Sequence, residues 1–124
     1  MPLAYWCVLI AALMPIALVA YAKAGGGDNH NPRDTVASLT GTRRRAYAAH
    51  ENAFESFPFF AAAVLTATTL GASISTVNIL AVLFIVARVV HAALYINDLA
   101  TARSLVFTVG LLLNVAIFVL PSFK

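Results

Sequence analysis

Asn52-Ala-Phe-Glu55-Ser-Phe-Pro58 opens the longest uncharged stretch of this chain, and Arg88 closes it. From Ser56 to Ala87 there are 32 residues without a single Asp, Glu, Lys or Arg. A hydrocarbon core about 30 Å thick takes roughly 20 helical residues, so the stretch is too long for one span. Two spans turning near Gly71-Ala-Ser-Ile-Ser75 have only about 16 and about 12 uncharged residues before they meet Glu55 and Arg88. Both charges are therefore expected below the membrane surface, on the same side, on neighbouring antiparallel helices. Ionisable groups at that depth are costly and need a partner or a task.

Composition agrees with a membrane reading. With 124 residues, 61% hydrophobic and 10% charged, and a mean hydropathy of +0.87, the chain is too apolar for a soluble domain of this size. The segment from Leu3 to Ala22 is uncharged throughout and lacks a basic leader before it. It reads as a retained span rather than a signal peptide, with Pro15 expected to kink it. Three further spans fit, giving one four-helix transmembrane domain over 1–124 with spans at about 3–22, 43–70, 76–97 and 101–120. Gly25-Gly26-Gly27, Asp28, Asn29, Pro32 and Asp34 mark a loop over 23–42, in which Pro32 after Asn31 suits the start of a short helix.

The net charge of +3 is unevenly spread. Lys23, Arg33, Arg43, Arg44 and Arg45 lie around the first loop and Arg103 near the last turn, while only Lys124 stands at the far end. The positive-inside rule then makes the 23–42 loop cytoplasmic and puts both termini outside the cytoplasm. The Arg43-Arg44-Arg45 triplet reads as a topology anchor on lipid headgroups rather than a nucleic-acid contact. A lone Cys7 excludes an internal disulfide and any cysteine-based metal site. Ala46, Ala48, Ala49, Ala53, Ala61, Ala62, Ala63 and Ala67 make the second span suited to close helix packing, and hence to self-association.

The polar residues of the spans are periodic. Arg45, Asn52, Glu55 and Phe59 follow one another at seven, three and four residues and so share a helix face; Arg88, His91 and Tyr95 do the same at three and four. With Arg103 and Ser104 at the start of the last span, these groups are expected at one level near the cytoplasmic side. Glu55 and Arg88 read either as a buried ion pair that sets helix register or as part of a site. His91 and Tyr95 taken singly suit an interface, and Asn114 an interhelical hydrogen bond. Together they make an anion-receptive pocket, since arginine binds carboxylates bidentately. A proton or solute pathway is disfavoured, because the polar groups gather at one end and Phe60–Leu70 is mostly apolar.

Three motifs resemble the MAPEG family, the membrane-associated proteins of eicosanoid and glutathione metabolism, and among them the small bacterial members. They are Asp28-Asn-His-Asn-Pro-Arg33, Arg45 through Asn52-x-x-Glu55-x-x-Pro58-Phe59, and Arg88-x-x-His91-x-x-x-Tyr95 followed by Arg103-Ser104. The resemblance implies a homotrimer in a bacterial inner membrane, with glutathione as co-substrate bound between subunits near the cytoplasmic face. It implies a transferase or peroxidase acting on lipophilic electrophiles or hydroperoxides that arrive from the bilayer. By position, Arg45, Asn52, Glu55, Arg88, His91 and Tyr95 would surround glutathione. Arg103 would lower the thiol's pKa, and Ser104 would contact the thiol. The chain departs from that pattern at Ala48, Glu51 and Phe107, where some members carry arginine, arginine and tyrosine. These departures imply weaker glutathione binding, a different thiol, or a non-catalytic membrane protein that keeps only the bundle.

Overall fold

The computed structural model describes residues 1–27 and 29–123. Asp28, which opens the first resemblance motif, and Lys124, the far-end basic residue, lie outside the described residues. Five helices follow in order: α1 (Leu3–Lys23), α2 (Pro32–Ala37), α3 (Gly41–Thr69), α4 (Ile74–Ile96) and α5 (Ala100–Val119), with a closing 3-10 turn at Leu120–Phe123. No strand occurs among the described residues. Leu3–Lys23, Ile74–Ile96 and Ala100–Phe123 are each long and apolar enough to cross a membrane. α3 is longer than any of them, but Arg43, Arg44, Arg45, Glu51 and Glu55 load its first half with charge.

The long helices form a bundle in which α3 touches α1, α4 and α5, while α4 touches α1 and α5. Small residues bring the backbones together: Ala4, Cys7 and Ala11 on α1, Ala63 and Ala67 on α3, and Ala81 on α4 are buried. In lipid, where apolar burial between helices drives little, such close approach supplies the dispersion that holds them. Phe60 and Phe84 fill the centre, their rings stacked at 4.2 Å and 16°. Leu9, Leu13, Ile16, Leu83, Leu105 and Leu112 point outward instead, as expected of helices whose solvent is hydrocarbon.

Polar bonds tie α1 at both ends. Near its start, Ala4 N donates to Asn78 Oδ1 at 2.9 Å, satisfying one of the free amides of the helix N-terminus. Thr68 Oγ1 donates to the Val64 carbonyl, so Tyr5 Oη must be the donor in its 2.9 Å bond to Thr68 Oγ1. Near its end, the Arg43 guanidinium donates to the Tyr21 carbonyl and lies over the Tyr21 ring. α1 runs unbroken through Pro15, whose carbonyl accepts from His50 Nδ1 at 2.7 Å.

Two tight turns set the α3–α4–α5 geometry. After α3, Gly71 at φ 80 lets Ala72 N reach back to Ala67 O at 2.9 Å. After α4, Asp98 at φ 60 lets Leu99 N reach Leu94 O at 2.9 Å. Both are left-handed helix endings that satisfy free carbonyls. The second turn lays the start of α5 directly against the end of α4.

Candidate functional site

The α4–α5 turn brings Tyr95 and Arg103 together. The Arg103 guanidinium carbon stands 4.4 Å from the Tyr95 ring centroid, a cation–π contact. One turn earlier on α4, His91 meets Tyr95 edge-on at 5.9 Å and 74°, and Phe107 of α5 at 6.1 Å. His91 is 2% exposed, and its Nδ1 has no hydrogen-bond partner. Asn52, His91, Tyr95, Arg103 and Ser104 all line one groove of ≈ 340 Å³. Phe107 and Thr108 complete its wall, and Thr108 Oγ1 is occupied in donating to the Ser104 carbonyl at 3.0 Å.

Arg88 departs from the expected pairing. It is 5% exposed, and its Nη2 donates to Asn52 Oδ1 at 2.8 Å rather than to Glu55. The only salt bridge among the described residues joins Arg44 to Glu51 at 3.8 Å, on the exposed side of α3. The reason is axial register: Asn52 and Glu55 lie one helical turn apart on the same face, and the α3–α4 packing sets Asn52, not Glu55, opposite the guanidinium. Accepting through Oδ1 leaves the Asn52 amide nitrogen to act as a donor. Ser56, whose hydroxyl donates back to Asn52 O at 2.9 Å, offers no free proton.

Glu55 is exposed and borders two other spaces. One is a cavity of ≈ 190 Å³ that it shares with Arg88 and Asn114; the other is an outer groove of ≈ 620 Å³ shared with Lys23, Arg33 and His50. Arg45 stands apart from the Arg103 groove. Its Nε donates to the Ile96 carbonyl at 2.9 Å and its Nη2 to Thr42 Oγ1 at 3.4 Å. Within one subunit it therefore caps the carbonyl end of α4, where a cation also suits the helix dipole.

The arrangement gathers one guanidinium, one hydroxyl, an amide and an imidazole around one groove. Such donors suit a negatively charged group. A sequence model of the MAPEG family matches residues 3–123. The chain belongs to the MAPEG family. Neither the curated proteins nor the solved structures contain a significant match to it. As a MAPEG protein with three apolar membrane-length helices it is an all-α integral membrane protein, in a family broadly associated with glutathione.

The position departures take physical form in this MAPEG chain. Glu51 is engaged with Arg44, Ala48 presents no charge, and Phe107 sets a tilted ring against His91 and brings no hydroxyl. Gly110 and Leu111, which line the cavity beside Arg88, carried no sequence signal. Apolar residues at helical spacing look the same whether they close a core or border a void.

Proposed function

We propose that the protein is a membrane thiol transferase or peroxidase that uses glutathione against lipophilic electrophiles or hydroperoxides. The observation that carries this reading is the groove shared by Asn52, His91, Tyr95, Arg103 and Ser104. A thiol bound there with its sulfur beside Arg103 loses its proton to water, because a guanidinium favours the thiolate. Ser104, exposed at the groove's edge, donates its hydroxyl proton to the sulfur. Asn52 and His91 supply further donors to the thiol's peptide backbone. The thiolate then forms its bond to an electrophilic carbon as the leaving group departs with the bonding pair. With a hydroperoxide, it attacks the distal oxygen, the O–O bond breaks and the alkoxide takes a proton from water to leave as the alcohol. The sulfenic acid formed on glutathione then condenses with a second glutathione to disulfide and water.

Four spans, with α3 as the fourth, suit the bundle. The 29 residues of α3 measure about 44 Å at helical rise, so the Arg43–Arg45 end stands in the cytoplasm while roughly 20 residues ending at Thr69 cross the lipid. The protein works as a homotrimer in a bacterial inner membrane, with both termini outside the cytoplasm. Lys23, Arg33 and Glu55, which line the outer groove, then face a neighbouring subunit and complete the glutathione contacts.

Purified protein in detergent is expected to show thiolate absorbance on glutathione addition and turnover of a dinitrohalobenzene. Arg103→Ala is expected to cut turnover about a hundredfold, the scale for losing one donor to a reacting anion. Wild-type protein without glutathione binding, or an Arg103→Ala variant equal to wild type, rejects the reading. The Arg44–Glu51 bridge and the ring at Phe107 favour a second reading, a non-catalytic membrane protein that keeps the bundle. In that case Arg103→Ala is silent, whereas Arg88→Ala loses the folded oligomer.

A further inference from the structure

Beside the Arg103 groove lies the ≈ 190 Å³ cavity, partly open to the outside and lined by α3, α4 and α5 of the same subunit. Asn52 and Phe107 line both spaces, so the two adjoin. Phe59, Phe84 and Leu111 give the cavity an apolar wall. Its other wall distinguishes it from a packing defect, since true voids in apolar interiors are lined by apolar atoms. Arg88 and Asn114 border it at 5% and 3% exposure. Arg88 makes one side-chain hydrogen bond, to Asn52, and keeps further guanidinium donors. Asn114 Oδ1 has no partner at all. A charge and an unpaired amide this deep are costly, and both are explained by a bound group that takes their hydrogen bonds. Gly110 helps make the room. A Cβ there would stand 3.7 Å from Phe84 Cε1 in ordinary contact, so a methyl fits while a longer side chain must enter the cavity.

We propose that this intrasubunit cavity is the acceptor subsite, and that it takes a small planar electrophile bearing a conjugated carbonyl, an enone. The inference rests on the thiol-transferase reading above. The carbonyl oxygen accepts from Arg88 while the ring or alkyl end lies against Phe59, Phe84 and Leu111. The thiolate in the adjoining groove adds to the β-carbon from the Asn52–Phe107 side. A sulfur–carbon bond forms, the carbon–carbon π pair shifts, and the charge arrives on the oxygen facing the guanidinium. A water held by Asn114 then protonates the α-carbon and the carbonyl is restored. Thiol plus enone equals product, and no oxidant or reductant enters.

The test uses the full-length protein in detergent with two probes, benzylacetone as the unreactive saturated ketone and benzylideneacetone as the enone. Benzylacetone binding is read by saturation-transfer NMR without any thiol, and so does not depend on catalysis. Gly110→Ala is expected to bind within about twofold of wild type and Gly110→Leu at least about tenfold more weakly. Asn114→Leu is expected to retain benzylacetone binding but to lower kcat for benzylideneacetone with the thiolate signal unchanged. Should Gly110→Leu not yield a folded oligomer, Leu111→Trp fills the same cavity from α5 and is read in the same way. Equal binding by wild type and the filled variant means partition into the micelle only, and overturns the proposal even where conjugation is seen. A wild type without a thiolate signal rejects the transferase reading and the reaction assigned here. The benzylacetone comparison then still decides whether the cavity takes a ketone.

Discussion

Arg88 is held by a neutral amide, and that choice has an energetic sign. A buried guanidinium bonded to Asn52 Oδ1 loses its one side-chain acceptor when that residue becomes alanine. Leaving a charged donor unsatisfied costs about 1–3 kcal/mol. Asn52→Ala is therefore expected to lower the thermal midpoint of the detergent-solubilised protein clearly, while Glu55→Gln, at an exposed position, shifts it little. The reverse order, measured by thermal unfolding, would mean that Glu55 carries the compensation. The same residues show what was legible. The nearness of His91, Tyr95, Arg103 and Ser104 follows from helical spacing and one short turn, which are local properties of a sequence. The partner of Arg88 depends on the axial register of two helices. Asn52 and Glu55 differ by a single turn, and no local pattern separates them.

At the scale of elements, the two left-handed turns decide how α3, α4 and α5 lie. Gly71 adopts φ 80, a conformation that a β-carbon disfavours by about 1–2 kcal/mol, so Gly71→Ala is expected to destabilise by about that amount. Denaturant or thermal unfolding followed by circular dichroism measures it, and an unchanged midpoint would show that the turn relaxes to another ending. Asp98 holds the same conformation at φ 60 without being glycine, which aspartate tolerates better than most residues. Loop composition pointed to the first of these turns through Gly71. The second carries no glycine, and was legible only as a short connection between apolar runs. The helical, membrane-spanning character was plain from hydropathy. The cavity beside Gly110 was not, because it arises where three helices fail to close on one another.

For the whole molecule, the open question of physical placement is α3, whose charged half and apolar half demand different solvents. Cys7 is the only cysteine and is buried, so a Cys7→Ser background gives a clean frame for labelling. A cysteine introduced at Thr42 is expected to react with an impermeant maleimide only from the cytoplasmic side, and one at Thr69 only from the opposite side. Labelling of both from one side would lay α3 along the surface and reduce the bundle to three spans. The family itself was legible because its motifs, in the first loop, on one face each of α3 and α4, and at the start of α5, are spread over most of the chain.

The contact between Tyr95 and Arg103 joins residues a few positions apart across one turn, whereas the Arg88–Asn52 bond spans 36 residues. Loop closure is slower and costs more entropy as that separation grows. The cation-bearing half of the groove thus assembles as a local hairpin, late in synthesis, independently of how α3 has docked. A chain with α3 misplaced would still present a formed Tyr95–Arg103 pair, a half-built groove able to attract an anion but not to orient it.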